Sequence, residues 1–399
     1  SKFNFMLKNN VLAFCVCLFS FVAAAQSPST MDALQQIEQN NATLKAFSSF
    51  LESKKLSQKA SNNLPDPQAD AYYLPFGNHT SGDYTEFQVT QSFEFPTVYS
   101  SRGNLIEMQE AQNAMEYQLK RQEVLLPAVK LLNELIFFAK KQKVEQVRVM
   151  QSKKLFEQIN QLFEIEQAGV LELNKAKISW IQEQFKLDII GSDLKKIMIQ
   201  LKNMNGGKEL DFAPNDYVGS LIVDDPESLW QEKMQVDPEL KILLEQEKVA
   251  KQQIKLSKNK SLPNLTAGYN YQGVSGSTYS GIYGGVSIPL WSSRNTVKAA
   301  EAKYDYQKSF TQVKTDVMHT EFLGEYEVYQ VLLKKYQEYQ STLQSLGSEE
   351  LLLQAFELGE LSFIQYYIEL QFYQKALDSM LEMENKLVQS KAELLKHQL

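Results

Sequence analysis

The feature that most constrains this chain is that its plan is written twice. Pro96 and Pro289 stand 193 residues apart, Ser100-Ser101-Arg102 and Ser292-Ser293-Arg294 stand 192 apart, and Phe163-Glu164 and Phe356-Glu357 are again 193 apart. Three anchors in order at a nearly constant offset mark an internal tandem. Its period is far longer than the roughly 20 to 50 residues of a solenoid unit, so each half must be a complete structural unit.

Both halves read as a helix, a strand pair and a long helical hairpin. Met31 to Ser61 carries Ala33, Leu34, Ile37, Leu44, Phe47, Phe50 and Leu51 at helical spacing, and Pro65 and Pro67 stop it. From Arg102 to Phe163 the only proline is Pro127 and the apolar residues keep a helical period. At about 1.5 Å per residue this is a rod of roughly 90 Å, and Pro127 should bend it. A turn at Ala168-Gly169 leads into a helix from Leu171 to Met204, ended by Asn205-Gly206-Gly207. The second half predicts a helix from Pro238 to Lys258, a long helix from Asn295 to Phe356, a turn at Gly359 and a last helix from Ser362 to Gln398. Gly207 to Trp230 is a mixed, Asp- and Pro-containing insert. The expected domain plan is residues 1–25 as a signal peptide, 26–206 as the first repeat, 207–236 as an insert and 237–399 as the second repeat. Rods of this length bury their apolar stripe only by packing along one another, as in a coiled coil.

The strands decide the class. Tyr84 to Phe95 alternates Phe87, Val89, Phe93 and Phe95 on one side with Glu86, Gln88, Thr90, Ser92 and Glu94 on the other, a period of two. Ala69 to Phe76 precedes it less regularly. In the second half, Leu265 to Gln272 has Leu265, Ala267, Tyr269 and Tyr271 on one face, and Tyr279 to Pro289 has Ile282, Gly284, Val286 and Ile288. Such alternation suits a half-buried strand of a soluble sandwich or a strand of an outer-membrane barrel. The export signal, the aromatic residues near the strand ends (Tyr84, Tyr99, Trp291) and the small number of strands favour the barrel. Four strands cannot close in lipid, where about eight are needed and open edges are not tolerated. The chain must therefore oligomerise, and three copies supply a twelve-stranded barrel. The expected fold is mainly α with a small β-barrel part: tandem long helical hairpins forming an α-barrel, plus four strands per chain of a trimeric transmembrane β-barrel.

Composition closes off other classes. Val11 to Ala25 is an apolar run preceded by Lys8 and closed by Ala23-Ala24-Ala25, the pattern of a secretory signal. Both cysteines, Cys15 and Cys17, lie inside it, so the mature chain has no thiol for a disulfide, a metal or a nucleophile. After it no apolar run reaches the roughly 18 residues of a membrane-spanning helix. A net charge of −7 without a basic cluster excludes a nucleic-acid binder. His79, His319 and His397 are far apart and belong to no ligand motif, and no phosphate loop, nucleophile elbow or zinc-protease motif occurs. No catalytic residue, metal ligand or cofactor is nominated, and the chain is not expected to be an enzyme.

The chain resembles the TolC-like outer-membrane efflux channels. The tandem carries the resemblance, with Phe93-Glu94-Phe95-Pro96 and Val286-Ser287-Ile288-Pro289 leading into the long helices and Leu358-Gly359-Glu360-Leu361-Ser362 before the last one. Leu64-Pro65-Asp66-Pro67 is similar to the heavy-metal (cobalt-zinc-cadmium) branch. The resemblance implies a homotrimer in the outer membrane of a Gram-negative bacterium, extending into the periplasm as a helical tunnel. It implies a passive exit duct for small molecules or metal ions, without a cofactor. The partners would be outer-membrane lipid, a periplasmic adaptor (membrane fusion) protein and an inner-membrane pump of the resistance-nodulation-division type. The adaptor would meet the hairpin tips, here Gly169 and Leu358, Gly359, Glu360, Leu361 and Ser362. Many members carry an acidic ring one turn past the tip glycine. Here that position is Gln365, with Glu369 one turn on, so Gln365, Glu369, Glu86 and Glu94 are the pore-lining candidates. Phe87, Val89, Phe93, Phe95, Val286 and Ile288 are the residues expected to face lipid. The competing reading is a soluble periplasmic coiled-coil scaffold or adaptor.

Overall fold

The computed structural model describes residues 29–78, 80, 82–345 and 349–399; the signal segment with Cys15 and Cys17, and His79, lie outside them. The elements are α1 (Thr30–Asn40), α2 (Ala42–Ala60), β1 (Gln68–Leu74), β2 (Tyr84–Phe93), α3 (Pro96–Glu164), α4 (Val170–Met204), α5 (Pro226–Val236), α6 (Pro238–Asn259), β3 (Asn264–Val274), β4 (Ser277–Ser287), α7 (Thr296–Ser345), α8 (Glu349–Glu357) and α9 (Phe363–Leu394). The long helix expected from Asn295 to Phe356 is thus described as α7 and α8, on either side of residues 346–348.

The duplication reaches further than the sequence anchors. The helix expected from Met31 to Ser61 is two helices, because Asn41 leaves the helical region (φ −60°, ψ 122°) and its Oδ1 accepts from the Leu44 amide at 3.1 Å. An Asn side chain competes well for such a donor, so it ends one helix and caps the next. Asp237 does the same at φ −59°, ψ 122°, accepting from the Glu239 and Leu240 amides at 2.9 and 3.2 Å. The helix before each break is eleven residues long. α5 is therefore the second copy of α1, and the last residues of the segment read as a mixed insert, Pro226 to Trp230, are its first turns. The signal was present in Asp225-Pro226 and Asp237-Pro238, a capping residue followed by proline at the first helical position.

α3 runs 69 residues, roughly 100 Å. It continues through Pro127 without interruption. Around that point Leu125, Ala128 and Leu132 are buried against Ala33, Leu34 and Ile37 of α1 and Ile197 and Leu201 of α4, so packing surrounds the helix where one backbone donor is missing. The other half builds its counterpart from Leu229 and Trp230 of α5, Phe322 and Tyr329 of α7 and Leu387 and Leu394 of α9. α3 packs along α4, α6 and α9, and α7 packs on α6 and α9, which leaves α4 and α7 at the two sides of a helical wall.

The strands form one antiparallel sheet in the order β1-β2-β3-β4, so its centre joins the two halves and β1 and β4 are its edges. The register places Phe87 opposite Tyr271, Val89 opposite Tyr269 and Phe93 opposite Leu265, with Leu265 opposite Val286 and Tyr269 opposite Ile282. One face of the sheet is consequently apolar across three strands. None of the four buried apolar clusters among the described residues includes a strand residue. Ile282 is 95% exposed. This sheet has no core of its own.

Candidate functional site

The opposite face of the sheet is polar and bonded to itself. Asn270 Nδ2 donates to Glu86 Oε1 at 2.7 Å and to Gln88 Oε1 at 3.2 Å, and the Tyr84 hydroxyl donates to Glu86 Oε2 at 2.7 Å. Asp70, paired with Gln88 in the register, shares this face. None of the four described strands contains a lysine or arginine, so all formal charge on this face is negative. A surface lined in this way attracts cations.

Two residues grouped with the strand by alternation do something else. β2 ends at Phe93, and Pro96 already opens α3, so Glu94 and Phe95 belong to a strand-to-helix corner. Glu94 is paired with Arg102 at 2.5 Å, and its amide donates to the Tyr99 hydroxyl at 3.1 Å. Its charge is neutralised at the root of the helix. Phe95 packs on Val98, Leu105 and Leu256, between α3 and α6, and turns away from the outward row of Phe87, Val89 and Phe93. Of the three aromatic residues expected near the strand ends, Tyr84 turns its hydroxyl onto Glu86 and Tyr99 sits in this corner, while Trp291 is 81% exposed. Val286 and Ile288 are exposed, and Ile288 lies one residue beyond β4.

At the far end of the hairpins the two tips are built alike. In the first, Glu166 has φ 59°, its amide donates to the Phe163 carbonyl at 3.0 Å and the Gln167 amide to the Leu162 carbonyl at 2.8 Å. In the second, Gly359 has φ 78°, its amide donates to the Phe356 carbonyl at 3.0 Å and the Glu360 amide to the Ala355 carbonyl at 2.9 Å. This paired pattern is the Schellman closure of a helix C-terminus. Gly359 does reverse the chain as its sequence suggested. Gly169 does not: it is extended (φ −86°, ψ 159°) and caps the start of α4, in the place Ser362 takes before α9. The Glu172 carboxylate accepts from the Gly169 amide at 3.0 Å, and Gln365 Oε1 from the Ser362 amide at 3.0 Å. Gln365 is thus engaged as a helix cap, while Glu369 is exposed and its side chain makes no hydrogen bond or ion pair among the described residues.

The tips are joined. Leu155, Ile159 and Ala176 of the first hairpin pack with Phe363 and Tyr366 of the second, and the Phe356 and Tyr366 rings stack at 4.9 Å between centroids. Ile165 and Leu358, which occupy matching positions, remain exposed beside the tip residues Glu166 and Glu360. Leu361 is half-buried under the second tip.

His319 lies against Trp230, with 4.5 Å between ring centroids, and His397 is buried with Nε2 3.7 Å from Glu232. Among the described residues no group of three or more His, Cys, Asp or Glu is placed to hold a metal ion, and no helix is long and apolar enough to cross a membrane.

This arrangement of open sheet and paired long hairpins recurs in solved structures. The outer-membrane channel OprN aligns over 92% of this chain and 89% of its own with a TM-score of 0.72, at 11% identity. The fold is that of the outer-membrane channels. CusC, described for its folding and transmembrane channel formation, aligns over 92% of this chain and 91% of its own with a TM-score of 0.74, at 10% identity. The Campylobacter jejuni outer-membrane channel CmeC covers all of this chain and 93% of its own at 12% identity and a TM-score of 0.69. No protein-family model and no curated protein matches the chain. Scores this even across different channels carry the fold and single out no heavy-metal branch.

Proposed function

We propose that the chain is one third of an outer-membrane exit duct of a tripartite efflux system, a passive conduit for small molecules or metal ions. The observation that carries this is the sheet: an apolar face with nothing packed over it, between two unpaired edge strands. In water both features are liabilities; in a bilayer the face is at home, provided that β4 of one copy pairs with β1 of the next and closes the ring. Phe87, Val89, Phe93, Val286 and Ile288 then meet lipid, while Glu86 and Asp70 line the lumen. The helical wall supports the same closure. On α4, at one side, Leu171, Ile178, Phe185 and Ile199 are exposed at multiples of seven residues, and on α7, at the other, Val313, Val317, Val328 and Val331 are exposed. These are coiled-coil seams in search of a neighbouring helix.

On this reading the first repeat, residues 26–206, and the second, which α5 extends back from 237–399 to Pro226, stand on either side of an equatorial segment, 207–225. The tips at Gly169 and at Leu358 to Ser362 offer exposed apolar side chains to a periplasmic adaptor, which links the duct to a pump of the resistance-nodulation-division type. Glu369 is the remaining candidate for an acidic ring there, and the heavy-metal assignment rests on Leu64-Pro65-Asp66-Pro67. A soluble scaffold would leave the apolar sheet face in water. The deciding experiment is reconstitution into planar bilayers: a detergent-extracted trimer should conduct and prefer cations, with the preference reduced by Glu86→Gln and Asp70→Asn together. A monomer extracted without detergent that opens no pore would refute the proposal.

A further inference from the structure

In the last third of α3, towards the hairpin tip, three helices meet around charges taken out of water. Glu145 and Arg148 of α3 and Glu183 of α4 are all buried. Arg148 Nη1 donates to Asp378 Oδ1 of α9 at 2.9 Å and to Glu145 Oε2 at 3.3 Å, and Nη2 donates to the Gln374 carbonyl at 3.0 Å. Lys186 Nζ donates to both Glu183 oxygens, at 3.0 and 3.1 Å. Two atoms of the cluster are left without a partner, Arg148 Nε and Glu145 Oε1. Glu145 Oε1 is buried without a donor, and the group it meets is the Glu183 carboxyl.

Two ionised carboxylates are not tolerated side by side in such a place, whereas a proton between them turns the repulsion into a short, charge-assisted hydrogen bond. The charged groups facing the pair are Arg148 on α3 and Lys186 on α4, and beyond them Glu349 at the start of α8 and Asp378 on α9 stand against Arg148. Two cations among four carboxyls leave an excess of negative charge, which one proton reduces. We propose that Glu145 and Glu183 share a single proton at neutral pH and that this proton is a clasp fastening α4 to α3. With it the hairpin is closed; without it, two buried carboxylates push apart and α4 loosens along the helical wall.

Burial, followed by the facing Glu183 carboxyl, pushes the Glu145 carboxyl up to about 8, and the opposing pull of Arg148 and Lys186 does not offset them. The clasp therefore releases in mildly alkaline surroundings. Because Arg148 also holds Asp378 and the Gln374 carbonyl, the same network reaches the seam between the two hairpins. Every group in it comes from one subunit, so the device does not depend on the pore reading.

Infrared difference spectra of the purified full-length protein test the proton directly. A protonated-carboxyl stretching band is expected in the wild type at pH 7, lost by pH 9, and missing at pH 7 from Glu145→Gln. Hydrogen–deuterium exchange tests the clasp. After correction for intrinsic rates, exchange over 176–190 should rise several-fold from pH 7 to pH 9 in the wild type. It should stay level in Glu183→Gln, whose amide supplies a permanent donor to Glu145. A wild type without the band at pH 7, or with equal α4 exchange at both pH values, overturns the proposal, as does a Glu183→Gln protein that keeps the full pH response.

Discussion

Glu166 and Gly359 occupy the same backbone position 193 residues apart, both in the left-handed region, at φ 59° and 78°. The two residues close equivalent helix ends, yet only one of them is a glycine. A side chain in that region costs roughly 1–2 kcal/mol, because Cβ crowds the following carbonyl. Part of that cost returns when glycine replaces it, and the looser unfolded chain takes some back. Glu166→Gly should therefore steady the first tip by about 0.5–1 kcal/mol, read as slower amide exchange over 160–175. Faster exchange there would show that Glu166 is not strained.

Gly206 closes α4 at φ 65°, and a Cβ on it would lie 2.5 Å from the Asn40 carbonyl oxygen at the end of α1. Backbone atoms on both sides leave nothing flexible to give way. Gly206→Ala should cost about 2 kcal/mol or more, combining left-handed strain with a steric clash, and lower the denaturant midpoint accordingly. Gly207, also at positive φ but with open space around it, should respond less to the same change.

The Glu145 carboxyl makes stability depend on pH in a definite direction. Its value rises from 4.5 to about 8 on folding, so between these limits the folded chain binds a proton that the unfolded chain does not. Stability from this group is fully present below the unfolded value and is lost as pH rises through the folded one. Denaturant midpoints should fall from pH 5 to pH 8, and Glu145→Gln should flatten that part of the profile. A wild-type midpoint that climbs steadily over the range would contradict the assignment.

Val89 and Gln88 are neighbours in β2 on opposite faces of the sheet. Arginine at a mid-membrane, lipid-facing site costs roughly 2–4 kcal/mol, whereas a lumen site tolerates it. Val89→Arg should sharply reduce folded protein recovered from detergent or liposomes, and Gln88→Arg should fold and shift ion selectivity away from cations. Equal yields from the two variants would remove the distinction between the faces.

Much of the architecture was legible because its signals are local. Helical period, strand alternation, proline stops and a repeated spacing each depend on residues close together in the chain, and they placed the long hairpins, all four strands and the duplication. The alternation of Tyr84 to Phe93 alone separated Glu86 from Phe87 and Val89. Other features depended on partners far away in sequence. Glu94 looked like a lumen charge until Arg102 was found against it, and Phe95 looked outward until Leu256 was found beneath it. Gly169 drew attention as the turn residue, although the strained position belongs to Glu166, because the closure is set by hydrogen bonds to Leu162 and Phe163.

By itself, then, the sequence determined the periodic elements, their order and their twofold repetition, since backbone preference and amphipathic spacing act over a few residues. Only the tertiary structure decided that strands from different halves meet at the centre of one sheet. It alone placed the carboxyls of Glu145 and Glu183 against each other, and it alone left the apolar sheet face uncovered. The physical reason is that burial and charge pairing are properties of neighbours in space, and helices of roughly 100 Å bring together residues that nothing in the local sequence connects.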